Sequence, residues 1–253
     1  MFSIENYKSE LNTKFIGHDV FYLAETDSTN LDAWDKIDKY CNEGSIIITD
    51  NQLAGKGRRG NTWLSISNKS LTCSFILYPK IDFNQFGLLP LLTGVSIIRG
   101  IHSSAYIKPG LKWPNDIMLS RNKMGGILIE TKSTSNGLAV VVGIGLNINE
   151  EKEDFPDVIK DNSTSLKIYT GENYMIEKVL AEILNEFENL YKSNWVDIIS
   201  DWSSYCIHND SLISFNSDGE KYKGSFIGIT NNGCAKILIE DKIQIFPAGI
   251  VSI

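Results

Sequence analysis

Cationic excess is what this chain most plainly lacks: across 253 residues, 24 Lys and Arg face 31 Asp and Glu, a formal charge of -7. A protein whose main work is gripping nucleic acid needs surplus Lys and Arg, so that class is disfavoured. Cysteine is sparse and scattered. Cys41, Cys73, Cys206 and Cys234 form no metal-type pair. With no secretory signal at the N-terminus they read as reduced thiols of a cytoplasmic protein, Cys73 within a strand. His18, His102 and His208 stand apart from any partner motif, which points to structural or surface positions. No apolar run approaches the length of a membrane span, and no repeat or low-complexity tract is present. The apolar fraction of 42% is ordinary and permits a sizeable core, as one large domain or one domain with a small appendage.

Against that background the cations that exist are concentrated. Between Asn51 and Trp63, Gly55, Gly57 and Gly60 interleave with Lys56, Arg58 and Arg59. Glycine allows close backbone approach, so several N–H groups can face one anion, and guanidinium forks suit phosphate or carboxylate. A solvated basic turn would have the same composition. The setting decides otherwise: the loop lies between two buried-looking strands, Ser45 to Thr49 and Leu71 to Tyr78, where α/β folds place ligands. We read it as an anion-holding substrate loop.

The remaining chain alternates helix and strand signals. Phe2 to Leu11 is weakly helical and Val20 to Leu23 a short strand. Leu31, Trp34, Ile37 and Cys41 then mark one face of a helix with Ser28 or Thr29 as its N-cap. Leu88 to Ile101 predicts a buried helix. Lys112-Trp113-Pro114-Asn115-Asp116 places a cation, an indole, an amide and a carboxylate among apolar neighbours. Strands follow at Ile117 to Leu119, Ile127 to Thr131 and Leu138 to Ile144. Lys123 alone would read as a turn lysine, but Gly125 and Gly126 directly after it imply a backbone that something must approach. Gly143-Ile144-Gly145 is not a dinucleotide fingerprint, since no crossover helix starts there. A looser connection with a short helix spans Asp154 to Gly171. The pattern from Ile176 to Tyr191 predicts an amphipathic helix, and a shorter helix is expected around Trp195 to Tyr205. Five short strands after Asn209 predict a small closed β-barrel module.

Taken together, Asp27-Ser28-Thr29-Asn30, Gln52 with the loop from Gly55 to Trp63, Lys112 to Asp116, Lys123 to Glu130 and Gly143 to Asn147 resemble the biotin–protein ligases, also called biotin–[acetyl-CoA-carboxylase] ligases. Order and spacing agree from Val20 to Asn149, and the terminal module resembles that family's SH3-like domain less specifically. The resemblance implies an α+β fold, with a mixed central sheet flanked by helices as in class II synthetases. It divides the chain into a core, 1–205, and a β-barrel domain, 206–253.

The implied activity joins biotin and ATP into biotinyl-5′-AMP, then transfers biotin to a lysine of a biotin carboxyl carrier protein. It assigns Lys123, Arg58, Asp116 and Lys112 to catalysis. Ser28, Thr29, Asn30, Gln52, Lys56, Gly57, Arg58, Lys123, Gly125 and Gly126 would bind biotin, and Gly55, Arg59, Gly60, Trp63, Asn115 and Asn147 the ATP or adenylate. Magnesium would arrive with ATP, as no carboxylate cluster marks a protein-held metal. Lys56 departs from the family's usual arginine and loses its bidentate fork. With about twenty residues ahead of the first core strand, there is no room for the helix-turn-helix domain, roughly sixty residues, of members that bind DNA, so none is expected. A membrane role is not expected, and either a monomer or a homodimer is. The competing readings are a lipoate or octanoate ligase and a non-catalytic biotin-binding sensor.

Overall fold

The computed structural model describes residues 1–252 except 38, 40, 135, 136, 194, 196, 218 and 248, with backbone alone at 83, 84, 250 and 252. Its first elements are helix α1 (Ile4–Glu10), strand β1 (Val20–Thr26), helix α2 (Thr29–Ile37) and strands β2 (Ile46–Gln52) and β3 (Ser70–Leu77). Helix α3 (Leu89–Ala105) leads into β4 (Gly110–Lys112), β5 (Asp116–Leu119), β6 (Asn122–Thr134) and β7 (Gly137–Asn147). Helices α4 (Asp157–Lys160), α5 (Leu166–Thr170), α6 (Ile176–Tyr191) and α7 (Ile198–Tyr205) follow. The chain closes with β8 (Ser211–Ser217), β9 (Glu220–Ile229), β10 (Ala235–Ile239), β11 (Lys242–Phe246) and β12 (Ile250–Ser252).

Seven strands form one mixed sheet in the order β1-β2-β3-β7-β6-β5-β4, in which only β1 and β2 run parallel. β3 is buried at every residue, as its central place requires, and Ile46-Ile47-Ile48 is a run buried on both faces. Alternate side chains serve opposite layers. Leu71, Cys73, Phe75 and Leu77 join α3 and α6 in the main core, while Ile47, Ile76, Ala139 and Val141 meet Ala33 and Ile37 of α2. The stretch Gln85–Ala105 is long and apolar enough to cross a membrane by length and composition, yet 67% of its apolar window is buried inside the fold. Its character is that of a core helix.

Some boundaries differ from the sequence reading for local reasons. β4 was not expected, because its three residues are too few for an alternation to show. α7 starts at Ile198 because Trp195 has φ +59°, which no α-helix accommodates. The connection after β7 resolves into a short turn, Lys152–Asp154, followed by α4 and α5.

The second sheet has the order β11-β10-β9-β8-β12, with neighbours antiparallel. It curls enough to bring Phe215 of β8 and Phe246 of β11 to 4.6 Å between ring centres. Among the described residues β11 and β12 do not pair, so the module is a curled sheet whose two end strands stay unjoined. It packs closely against the first unit. Trp113, 1% exposed, donates its indole N–H to the Gly233 carbonyl at 3.1 Å, and Gly87 and Gly233 pack too closely for any side chain.

The buried polar groups include two carboxylates with opposite environments. Glu188 of α6 is desolvated, which raises its pKa, but the bonds it accepts from Lys192 and the amides of Lys14, Phe15 and Ile16 outweigh that and hold it at about 2. It fastens the N-terminal segment to α6. Glu150, fully buried, accepts from Ser70 at 2.5 Å, but burial dominates and pushes its pKa up to about 7. Because the folded value lies above the unfolded one, protonation favours the fold. That contribution is full below about pH 4.5 and lost as pH rises through 7. Glu150→Gln is therefore expected to match the parent's unfolding free energy at pH 4.5 and to exceed it at pH 8, by up to about 3 kcal/mol. Denaturant titrations at both pH values test this; an equal offset at both would refute it.

Candidate active site

The motif blocks converge on the face of the first sheet that α2 half covers. There a cleft open to solvent is bounded by α2, the glycine-rich loop and β5–β7. Its two ends differ in chemistry.

One end is a network of hydrogen bonds. Ser28 is buried at the start of α2, and Thr29 donates from its backbone and hydroxyl to Gln52 Oε1, at 2.8 and 3.1 Å. Ser74 Oγ lies 2.7 Å from Thr29 Oγ1 and 2.6 Å from Asn30 Oδ1. The Asn30 amide donates to Glu130 at 2.8 Å, and so does the Trp34 indole at 3.3 Å. Such a network fixes each group's orientation.

The other end is charged. Asp116 lies between Lys123, at 2.6 Å, and Lys112, at 3.8 Å. Two cations thus share one carboxylate, leaving an excess positive charge for an incoming anion. Lys123 is held through its backbone: its N–H donates to Asn162 and its carbonyl accepts from Thr164, at 2.8 and 3.0 Å. Across the cleft, Arg58 donates to Asn115 Oδ1 at 3.1 Å, while the Asn115 amide donates to the Ile127 carbonyl. Burial first, then the adjacent Arg59 charge, pull the Arg58 pKa below its ordinary value, with Asp116 opposing.

The loop itself is a small hairpin. Lys56 and Thr62 form a bridge, Trp63 N–H donates to the Gly55 carbonyl, and Arg58–Gly60 make a single turn of 3₁₀ helix. Arg59 and Gly60 take φ of +56° and +79°, a conformation that glycine supplies freely and arginine only at a cost. Lys56 and Arg59 are exposed on the loop where it borders the cleft.

Glycines shape the floor. A Cβ at Gly143 would stand 2.2 Å from Asn30 Oδ1, and one at Gly145 would stand 2.5 Å from the Trp63 ring. One at Gly126 would meet nothing nearer than Lys123 Nζ at 3.6 Å. Asn30 and Trp63 therefore occupy the space that side chains on β7 would fill, and Gly126 stays open to the cleft.

Of the residues singled out in the sequence, Thr29, Asn30, Gln52, Lys56, Gly57, Arg58, Arg59, Trp63, Lys112, Asn115, Asp116, Lys123 and Gly126 line this one cleft. Ser28, Gly55, Gly60, Gly125 and Asn147 do not. Gly125 falls on the opposite face by strand alternation, where a Cβ would strike Leu146 at 2.3 Å. Asn147 is buried and donates its amide to the Thr164 carbonyl at 2.9 Å. Sequence reasoning missed Thr72, Gly249 and Val251, which line the cleft, and Ser74 and Glu130, which bond to Asn30. Ser70, Thr72 and Ser74 did carry a signal, since hydroxyls at every second residue of a fully buried strand need partners.

A cleft with cations at one end and a fixed hydrogen-bonded network at the other suits an acid that carries a polar head. The family model described as the biotin/lipoate A/B protein ligase family matches residues 22–147. The chain is 32% identical over 246 residues to the bifunctional ligase/repressor BirA of Bacillus subtilis, covering 95% of this chain and 76% of that protein. It is 29% identical over 149 residues to the biotin–[acetyl-CoA-carboxylase] ligase of Mycobacterium tuberculosis, over 57% of this chain and 53% of that one. Among solved structures, biotin protein ligase from Aquifex aeolicus in complex with biotin and ATP superposes with a TM-score of 0.77 at 29% identity, covering 93% of this chain and 98% of that one. The chain belongs to the biotin/lipoate A/B protein ligase family, among its biotin–protein ligases.

Gly145→Ala offers a test of the floor. The added methyl would displace the Trp63 indole, so acid binding measured by calorimetry should weaken at least about tenfold, with the helical circular dichroism signal retained. Unchanged binding would show that the indole's place over β7 does not matter.

Proposed function

We propose that this enzyme activates biotin with ATP and transfers it to a lysine of a biotin carboxyl carrier protein. The observation that carries the reading is the two-ended cleft. A carboxylate belongs beside Lys112, Lys123 and Arg58, and a ureido ring, with two N–H donors and a carbonyl, belongs among Thr29, Asn30, Gln52 and Ser74. The dithiolane of lipoate could exchange no hydrogen bonds with that network, which favours biotin over the lipoate alternative.

In the first half-reaction a biotin carboxylate oxygen attacks the α-phosphorus of ATP. The bond to the bridging oxygen breaks and pyrophosphate leaves with its electron pair, giving biotinyl-5′-AMP. Two anions must meet, so the excess charge of Lys112 and Lys123 around Asp116, with Arg58 opposite, is where the barrier is lowered. Magnesium would arrive with the nucleotide phosphates, since Asp116 already serves two lysines. In the second half-reaction the neutral amine of the carrier lysine attacks the acyl carbon, and AMP leaves. Asp116 is the group we assign to receive the amine's proton. Trp63 and the loop from Gly55 to Gly60 would cover the mixed anhydride and keep water from it. Four free cysteines fit a cytoplasmic setting.

Exchange of labelled pyrophosphate into ATP tests the first step. It should require biotin, fail with lipoate or no acid, and fall at least about a hundredfold in Lys123→Ala. Exchange with lipoate alone would keep the chemistry and overturn the substrate; no exchange with any acid, in a folded protein that still binds biotin, would favour the sensor. For the second step, Asp116→Asn should lower the single-turnover rate of transfer from pre-formed adenylate to a carrier domain by roughly 10²-fold. A normal rate would remove Asp116 from that role.

A further inference from the structure

The tip of the glycine-rich loop, residues 56–62, spends its bonds on itself. Gly57 N–H donates to the Asn61 carbonyl, Asn61 N–H to the Arg58 carbonyl, and Lys56 bridges Thr62. Among the described residues, a single hydrogen bond or ion pair joins that stretch to the rest of the fold, the one from Arg58 Nη1 to Asn115 Oδ1 at 3.1 Å. Asn115 lies in the turn that joins β4 to β5, between the paired Lys112 and Asp116. Its backbone and its side chain both grip one residue of β6. The Asn115 carbonyl accepts from Ile127 N–H at 3.0 Å, and the side-chain amide donates to the Ile127 carbonyl at 2.9 Å. Only the amide nitrogen can donate to that carbonyl, so the amide's orientation is settled and Oδ1 is the atom left for the loop.

We infer that Asn115 is the positioning residue for Arg58, a clasp that holds the loop's tip across the cleft and aims the guanidinium without neutralising it. This deepens the proposed function, on which it rests, by moving Asn115 from the nucleotide contacts to the support of Arg58. An amide suits the task better than a carboxylate. A carboxylate would pair with the guanidinium and cancel charge that the meeting anions need, and one of its oxygens would face the Ile127 carbonyl with no proton between them. The amide oxygen offers only a dipole. Because the bond takes Nη1, other donors of the guanidinium fork remain for an anion. One hydrogen bond is also weak enough to break, so the clasp lets the loop open for substrates and products.

Limited proteolysis and kinetics of the full chain test the clasp. Lys56 and Arg59 are exposed trypsin sites on the loop. Without ligand, Asn115→Ala should be cut there roughly tenfold faster than the parent, and Arg58→Ala, which leaves the turn untouched, should match it. Cutting at the parent's rate in both folded variants overturns the clasp. Asn115→Asp keeps an acceptor for Arg58 and adds a charge, so it should stay protected while biotin-dependent pyrophosphate exchange falls about tenfold in kcat/KM. Exchange at the parent's rate in that variant overturns the need for an uncharged partner. Asn115→Ala should lower kcat/KM at least about tenfold in the parent, but less than about threefold once Arg58 is already alanine. An equal loss in both backgrounds means that Asn115 acts on a substrate directly, and overturns its role through Arg58. If the parent shows no biotin-dependent exchange, the substrate assignment fails, whereas proteolysis still decides the clasp.

Discussion

A side chain at Gly143 would collide with Asn30 and one at Gly145 with Trp63, at 2.2 and 2.5 Å. The site depends on those two bare positions on one face of β7. Because β7 is central in its sheet, buried throughout its last nine residues, its backbone cannot retreat to make room. α2 can thus press Asn30 against the sheet, and the glycine-rich loop can lay Trp63 beside it. The two motifs, far apart in sequence, become the two walls of one cleft. Gly126, one strand over, continues the bare face to Lys123.

The charges follow a similar economy. An acidic chain holds its functional cations in a cluster where each is partly balanced: Lys112 and Lys123 by a shared Asp116, Arg58 by the amide oxygen of Asn115. Complete neutralisation would remove the attraction for an anion, and none would destabilise the fold by repulsion. One carboxylate between two ammonium groups sits between those limits. The positions are set by backbone rather than by side-chain packing, through the ladder that joins β4, β5 and β6 and the bonds from 162–164 to Lys123.

The second sheet is not a remote appendage. Trp113, within the block that carries Lys112 and Asp116, donates to Gly233, and Gly249 and Val251 reach the cleft lining. A buried indole N–H needs an acceptor, and here the acceptor comes from the other sheet. The charged end of the cleft and the terminal module are therefore mechanically joined.

Local chemistry alone determined much of this. Period-2 and period-3.6 patterns located β2, β3, β7, α3 and α6, and the Gly/Arg composition of residues 55–60 singled out a loop that borders the cleft, because these signals depend on near neighbours in the chain. The same holds for Lys112 to Asp116 and Lys123 to Gly126, whose polar residues were conspicuous among apolar ones. Only the tertiary structure decided which face each residue takes and whom it meets. Gly125 and Gly126 are adjacent and alike in sequence, yet alternation sends one into the core and the other into the cleft. Asn147, read with the ligand set, donates its amide to the Thr164 carbonyl, and Thr72 reaches the cleft lining through strand register that no local pattern contains. Pairing Thr72 with Gly145 and Gly126 with Asp116 requires knowing which strands are neighbours, and that is settled by how the whole core packs.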